Sequence, residues 1–435
     1  MLKRTHLTRE LKTGEATISG WVNVVRDLGN VKFLIVRDST GIAQVTIKKG
    51  VVDEVILKIA ESLNPWDVIA IQGEVVERKN APQGREIIPS KIEILSKAET
   101  PLPIDVSGKI DSNLDTRLDW RVLDLRRPET AAIFKIQAKM VEGIEECLRR
   151  DGYLQVFTPC LMGSASESGA EVFPVVYFDR EAFLRQDPQL HRQLLIIAGF
   201  DKVFDLGPNW RAEPSHTPRH LCEHRACAVE FGFMNDETDM MRVEESVLIA
   251  ALQKIKEECK DELDLLGKEI SIPKTPFPEL QFPKIYDVLK EFGKNVEFGE
   301  DYDRESEVIL WKYVKEKFGS DFFFVNRFPF KVKPFYVMRI DEEPQWARSV
   351  DLIYKGLELS SGGQREHRYD KIVEQMREKE MTIEVMDWFT KFFKYGAPPH
   401  GGFCLGIERF IMQLLDISNV REAALFPRAP ERLLP

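Results

Sequence analysis

Over residues 14–96 the chain alternates apolar and polar positions in short runs broken by turn residues. Residues 16–26, 31–38 and 42–48 read as strands separated by Leu28-Gly29-Asn30 and Ser39-Thr40-Gly41. Residues 51–63 place Val55, Ile56, Ile59 and Leu63 at helical spacing and predict a helix. Two more strands are predicted over 67–76 and 85–95.

Five strands with a helix after the third match an OB-fold barrel. Residues 100–128 are rich in Pro and Asp and read as a linker. A helix is predicted over 131–149, where Ile133, Ile136, Met140, Val141, Ile144 and Leu148 form one stripe. Asp151-Gly152 closes it, and 153–158 reads as a strand stopped by Pro159. The runs 202–207 and 226–233 predict a long antiparallel hairpin. In its second arm Cys227, Val229, Phe231 and Phe233 face one way, and Ala226, Ala228 and Glu230 the other. Residues 258–320 alternate acidic and apolar stretches without a motif and read as an insertion. Residues 322–325, 334–338 and 349–359 predict strands of a mainly antiparallel sheet. An amphipathic helix with Trp388, Phe389, Phe392 and Phe393 is expected around 387–393, and Phe410, Ile411, Leu414 and Leu415 mark a last one.

The hairpin loop carries the chemistry. Arg211, Glu213, His216, Arg219, His220 and Glu223 gather within thirteen residues. Arginine keeps its charge and offers paired donors, so guanidiniums ordered by carboxylates suit a polyphosphate. The run from Gly401 to Gly406, then Glu408 and Arg409, places another arginine at the start of a helix. No Gly-x-Gly-x-x-Gly or Walker sequence is present, so a nucleotide would not sit in a Rossmann or P-loop cradle.

Together these segments resemble motifs 2 and 3 of the class II aminoacyl-tRNA synthetases. The Arg-Ala-Glu…Arg-His-Leu-x-Glu wording is that of the aspartyl, asparaginyl and lysyl subgroup, and Asn419 to Arg428 resembles the aspartyl and asparaginyl ending. The likeness runs over essentially the whole chain and is strongest to archaeal-type aspartyl enzymes of subclass b. It implies an α+β fold with an OB-fold anticodon-binding domain over 1–104, a linker over 105–130 and a class II catalytic domain over 131–435. The helix and strand at 131–158 are similar to motif 1, which implies a homodimer.

The resemblance also implies roles. Arg211 and Arg409 would be catalytic, contacting the phosphates of ATP. Glu213, Arg219, His220, Leu221, His224, Glu358 and Gly406 would complete the ATP site, with His224 stacking on adenine in place of phenylalanine. Glu358 and Ser361 would hold Mg²⁺, a hard cation that keeps phosphate and water ligands. The amino acid would meet Glu167, Asp187, Gln189, Arg192, Ser361 and Arg365, the last reading a side-chain carboxylate. Three positions depart from the family wording: Asp187 replaces a serine, Arg192 a lysine, and Ala228 the aspartate that holds the substrate ammonium. Asp187 is expected to take over that contact, with Arg192 at the side-chain carboxylate.

On the barrel, Gly20-Trp21-Val22 through Gln44 resembles the family's anticodon-binding wording. Arg26, Phe33 and Gln44 match positions that stack on and read bases. Asn23 and Pro82 stand where enzymes that discriminate the last anticodon base carry tryptophan and lysine, so charging of both aspartate and asparagine tRNAs with aspartate is expected. The expected activity is ATP-dependent activation of L-aspartate and transfer to the tRNA 3′ end. The alternatives are an asparaginyl enzyme and an ATP-binding paralogue that charges no tRNA.

Composition changes this picture little. The 435 residues, 43% hydrophobic and 30% charged, suit a multidomain globular enzyme. No 18-residue apolar run and no signal core are present, so a cytoplasmic protein without a membrane partner is expected. The net charge of −10 does not exclude RNA, because local patches bind phosphate, and the acidic excess lies beyond the first hundred residues. Six scattered cysteines form no CxxC pair. The His and Cys cluster at 216–227 fits no structural zinc spacing.

Overall fold

The computed structural model describes residues 2–163, 172–212, 214 and 217–434. Its chain divides into two units, Met1–Pro103 and Ile104–Pro435. In the first, the alternating runs become β1 (Gly14–Asp27), β2 (Val31–Arg37), β3 (Ile42–Lys48), β4 (Val68–Glu77) and β5 (Arg85–Ser96). They close in the order β1-β2-β3-β5-β4, with β1 pairing back to β4. Alternate side chains point inward, so Ile18, Val22, Leu34, Val45, Ile71 and Ile87 are wholly enclosed. The helix α1 (Glu54–Glu61) starts later than 51 because Asp53 caps it, accepting from the Val55 N–H at 2.8 Å. Ile56, Ala60 and Leu63 pack inward, whereas Val55, expected among them, faces solvent.

The expected linker is folded. It forms α2 (Leu114–Asp119) and α3 (Arg121–Asp124), and the next helix, α4 (Pro128–Arg150), begins with a proline whose missing N–H costs nothing there. Buried Arg121 donates to Asp124 at 2.6 Å and to the carbonyls of Glu422, Ala424 and Leu425 at 3.1, 2.8 and 2.9 Å. Arg117 joins Asp124 to Glu422. Residues 114–124 are therefore part of the larger unit.

Then come β6 (Leu154–Gln155), a small sheet of β7 (Leu161–Met162), β8 (Pro174–Tyr177) and β9 (Arg180–Leu184), and α5 (Gln189–Ile197). The predicted hairpin is β10 (Lys202–Trp210) and β11 (Glu223–Gly232), followed by α6 (Glu237–Glu258) and α7 (Lys260–Leu266). Next are β12 (Glu279–Gln281), α8 (Lys284–Glu291), α9 (Arg304–Phe318), β13 (Phe322–Asn326), β14 (Arg339–Ile340), β15 (Glu343–Ala347), β16 (Ser349–Tyr354) and β17 (Leu357–Arg365). The unit ends with α10 (Tyr369–Glu378), α11 (Asp387–Thr390), β18 (His400–Gly406) and α12 (Ile407–Leu414). One eight-stranded sheet runs β12-β13-β16-β17-β18-β11-β10-β6. Only its two edge pairs, β12 with β13 and β6 with β10, are parallel.

Several expectations need correction. The strand at 153–158 shrinks to the two residues of β6, and Phe233 lies past β11, exposed, with φ of 60°. The 258–320 segment is built into the sheet: it supplies edge strand β12, and Phe282, Ile285, Leu289, Leu310 and Val314 pack with Phe323 and Trp346. Residues 334–338 form a turn with one bridge, Val337 to Arg365, instead of a strand. Residues 349–359 are a hairpin, because Lys355 and Gly356 (φ 47° and 71°) make the tight turn that antiparallel strands favour. After α11 the 387–393 run tightens into a 3₁₀ turn that buries Phe393 and leaves Phe392 exposed.

Helices α4, α6 and α12 cover one face of the sheet, where Phe204, Cys227, Val229, Phe231, Phe403 and Leu405 join the main core. The other face, over β11, β18 and β17, is left for chemistry. No helix among the described residues is long and apolar enough to cross a membrane.

Candidate active site

Strand pleating sorts the site. Cys227, Val229 and Phe231 go to the core, so Ala226, Ala228 and Glu230 go to the opposite face. In register beside them lie Gly406, Cys404 and Gly402 of β18; on β17, Ser361 pairs with Cys404, Gly363 with Gly402, and Arg365 with His400. Above this floor is a cavity of about 420 Å³. Of the predicted residues, Asp187, Gln189, Arg211, Arg219, His220, Leu221, His224, Glu358, Ser361, Arg365, Gly406 and Arg409 line it, although they span more than 220 positions of the chain. Arg192 does not. Glu167, Glu213 and His216 lie outside the described residues.

At one end are the cations. Arg211 follows β10, its N–H donating to the Cys222 carbonyl at 3.0 Å across the hairpin. Arg409, in the first turn of α12, reaches the Glu358 carbonyl at 3.3 Å and carboxylate at 3.8 Å. His220 pairs with Thr217 Oγ1 at 2.5 Å. Burial, then the charges of Arg211 and Arg409, push the His224 imidazole down to about 3. It is therefore a neutral flat ring at physiological pH, suited to stacking. Glu408 anchors the base of α12 by accepting from the Arg225 N–H at 2.9 and 3.0 Å, and burial lifts its carboxyl to about 7.

Glu358 and Ser361, three apart, would fall on opposite faces of a regular strand. A register slip in the β16–β17 ladder corrects this: Leu352 pairs with Ser360, but Ile353 pairs with Glu358. Glu358 and Ser361 thus both line the cavity, while Ser360 turns to Glu244 of α6. Across from Ser361 stands Asp351, which the sequence reading missed. Its Oδ2 accepts from Lys333 at 3.2 Å, and among the described residues its buried Oδ1 has no hydrogen-bond partner. Burial, then the charges of Glu358 and Asp301, raise it to about 7 against the pull of Lys333. Two carboxylates, one of them with an orphaned buried oxygen, and a hydroxyl fit a hard divalent cation. No group of three or more His, Cys, Asp and Glu among the described residues is arranged to hold a metal alone, which suits an ion that arrives with phosphate. In the 216–227 cluster, Cys227 is in the core.

At the other end Arg365 donates through Nε to Glu230 at 3.1 Å and through Nη2 to Gln189 Oε1 at 2.9 Å and the Gly402 carbonyl at 3.0 Å. Glu230 also accepts from Gln189 Nε2 at 2.9 Å. Arg192, wholly enclosed, grips Asp187 through both Nη atoms at 2.7 and 2.9 Å. Burial would raise the Asp187 carboxyl, but the Arg192 charge and its bonds outweigh this and hold it below the ordinary value. Glu230 and Lys333 were also missed; each reads in sequence as an ordinary strand or loop charge.

On the barrel, Arg26 pairs with Phe33 in the β1–β2 ladder, and Gln44 lies on β3. Gln44 Nε2 donates to Glu86 at 3.0 Å and Thr46 Oγ1 to the same carboxylate at 2.7 Å, so Glu86 fixes one end of the Gln44 amide. Asn23 sits at a register slip in β1, and Pro82 opens a single 3₁₀ turn before β5.

Residues 113–430 match the family model of class II tRNA synthetases (D, K and N), and residues 16–95 match that of an OB-fold nucleic acid binding domain. The aspartate–tRNA(Asp) ligase of Pyrococcus furiosus is 44% identical over 436 residues, covering 99% of this chain and 100% of that one. The aspartate–tRNA(Asp/Asn) ligase of Methanopyrus kandleri is 44% identical over 429 residues, covering 99% and 98%. Among solved structures, the asparaginyl-tRNA synthetase of Pyrococcus horikoshii complexed with asparaginyl-adenylate has a TM-score of 0.91 at 33% identity, with both chains fully covered (100%). The aspartyl tRNA synthetase of Entamoeba histolytica gives 0.86 at 28%, covering 100% and 93%. With an OB-fold barrel ahead of an antiparallel sheet whose cavity gathers Arg211, Glu358 and Arg409, the chain belongs to the class II tRNA synthetases of the D, K and N group, enzymes that use ATP to join an amino acid to tRNA.

Proposed function

We propose that this enzyme is an aspartate–tRNA ligase, making aspartyl-adenylate from ATP and L-aspartate and passing the aspartyl group to the tRNA 3′ end. The observation that carries the reading is Arg365: it lines the cavity with a guanidinium aimed by Glu230, Gln189 and Gly402, a planar donor suited to a side-chain carboxylate. The aspartate-specific names of relatives at 44% identity favour the same substrate over asparagine. Arg211 and Arg409 would fix the phosphates, and most of the acceleration would come from positioning and charge stabilisation. Magnesium, held by Glu358, Ser361 and Asp351, would neutralise charge on the departing pyrophosphate. The barrel would bind the anticodon through Phe33 and Gln44. With Asn23 and Pro82 in place, both aspartate and asparagine tRNAs would be charged, as the names of some relatives say of those enzymes.

A homodimer through α4 and the segment after β6 is part of this proposal; exposed Leu154 and Phe157 are apolar surface there. So is a cytoplasmic setting. The test is ATP–pyrophosphate exchange with each amino acid, followed by charging of both tRNA transcripts. Exchange with aspartate alone supports the reading, exchange with asparagine moves the enzyme to the sister activity, and no exchange favours the non-charging paralogue.

A further inference from the structure

We propose that Asp187 is the carboxylate that receives the substrate ammonium, and that Arg192 is a positioning residue for it which never touches the amino acid. The inference rests on the aspartate–tRNA ligase reading and assigns the division of labour inside its amino-acid subsite.

Three observations lead there. Glu230 is wholly buried, off the cavity wall, and occupied by Arg365 and Gln189. Asp187 is on the wall with its side chain 13% exposed, and among the described residues it accepts hydrogen bonds only from Arg192, one to each oxygen. Each oxygen keeps a lone pair for a further donor. On the β11 strand of the sheet floor, position 228 is an alanine and offers no acceptor. Of the other carboxylates on the wall, Glu408 is tied to the Arg225 N–H, while Glu358 and Glu307 share the cation end with Arg409 and Arg219. Among the described residues, an ammonium entering beside Arg365 therefore has one carboxylate to meet.

Arg192 cannot do what an arginine near an acidic substrate is expected to do. It is wholly buried and off the cavity wall, where Nη1 donates to Asp187, Nη2 to Asp187 and Gln189, and Nε lies 3.8 Å from Glu230. Its charge acts on the substrate through Asp187, the carboxylate it holds, while Arg365 is held separately by Glu230 and the Gly402 carbonyl. Arg365 is then the one guanidinium presented to the side-chain carboxylate, with Nη1 beyond its three internal bonds. Two arginines are balanced by two carboxylates, so the empty subsite is neutral and accepts a zwitterion bearing one extra negative charge chiefly through directed hydrogen bonds.

The experiment compares aspartate with succinate, which keeps both carboxylates and lacks the ammonium. Wild type, Asp187→Asn and the double variant Asp187→Asn/Arg192→Met are assayed by exchange, with succinate as competitive inhibitor. The double variant removes the buried pair together, which proteins commonly tolerate. The expected result in both variants is a KM for aspartate raised about 10- to 100-fold, the loss of one charged hydrogen bond. The ATP KM should stay near wild type and succinate inhibition should be unchanged or stronger. Equal weakening of aspartate and succinate overturns the proposal, since it would place Arg192 or the pair at the carboxylate, and no change in either overturns it as well. Failure of the aspartate reading is visible separately: wild type would then show no exchange with aspartate. If asparagine drives exchange instead, the same comparison is made with asparagine and succinamate, and the same outcomes decide.

Discussion

Gly402 stands directly across the β11–β18 ladder from Glu230, and a methyl group at 402 would lie 2.7 Å from Glu230 Oε2 and 1.9 Å from the Val229 carbonyl oxygen. The missing side chain is what lets Glu230 aim Arg365. Gly402→Ala should lower aspartate-dependent exchange by more than about 100-fold and cost about 1–3 kcal/mol of stability, since the backbone must part to admit the methyl. Exchange kinetics and thermal unfolding check both, and wild-type exchange would show that the strands separate at little cost.

Arg365→Lys keeps the charge but cannot hold Glu230, Gln189 and the Gly402 carbonyl together while facing the cavity. The KM for aspartate should rise at least about 30-fold, with the ATP KM moved less than about threefold. A matching rise in both would place Arg365 in general support of the fold instead.

In the barrel, Glu86→Gln should loosen Gln44 without altering the chemistry of the larger unit. The expected outcome is about a tenfold rise in KM for tRNA, the value of one or two oriented hydrogen bonds, with exchange unaltered. Aminoacylation titrated with tRNA, alongside exchange without it, separates the two.

Glu244 is buried behind the sheet, with Ser360 as its hydrogen-bond partner and Oε2 without one among the described residues. Burial lifts its carboxyl to about 8 from an ordinary 4.5. Because the folded state binds this proton more tightly than the unfolded chain, the contribution is full below about 4.5 and lost as pH climbs towards 8, at up to about 1.4 kcal/mol per pH unit. Glu244→Gln should therefore melt higher than wild type at pH 8.5, with the advantage shrinking towards pH 5. An advantage independent of pH would mean that Glu244 does not titrate in this range.

Much of this architecture is legible in the residues. The alternation over 14–96 is a barrel, and the parity of 226–231 sorts core from cavity because side chains on a strand have only two directions. What stayed hidden depends on partners. Glu358 and Ser361 share a face through a slip set by β16, which spacing alone would deny. Asp351, one acid within Ser349-Val350-Asp351-Leu352-Ile353-Tyr354, gains meaning only opposite Ser361. Arg192 has the right type and the right neighbourhood, but Asp187 turns it inward. The 105–130 stretch has the composition of a tether, and nothing local announces that the acceptors of Arg121 are the carbonyls at 422, 424 and 425.

That last arrangement sets a clock on biosynthesis. Arg121 leaves the ribosome 301 to 304 residues before the three carbonyls that complete its shell. At translation speeds of about 5–20 residues per second, that is an interval of roughly 15–60 s. Through it the nascent chain carries a cation destined for the interior with Asp124 and the Phe134 ring at hand but none of its carbonyl acceptors, while its barrel, complete by residue 96, is free to close early. The unit that grips RNA can therefore be finished while the larger unit that does the chemistry is still waiting for its closing segment.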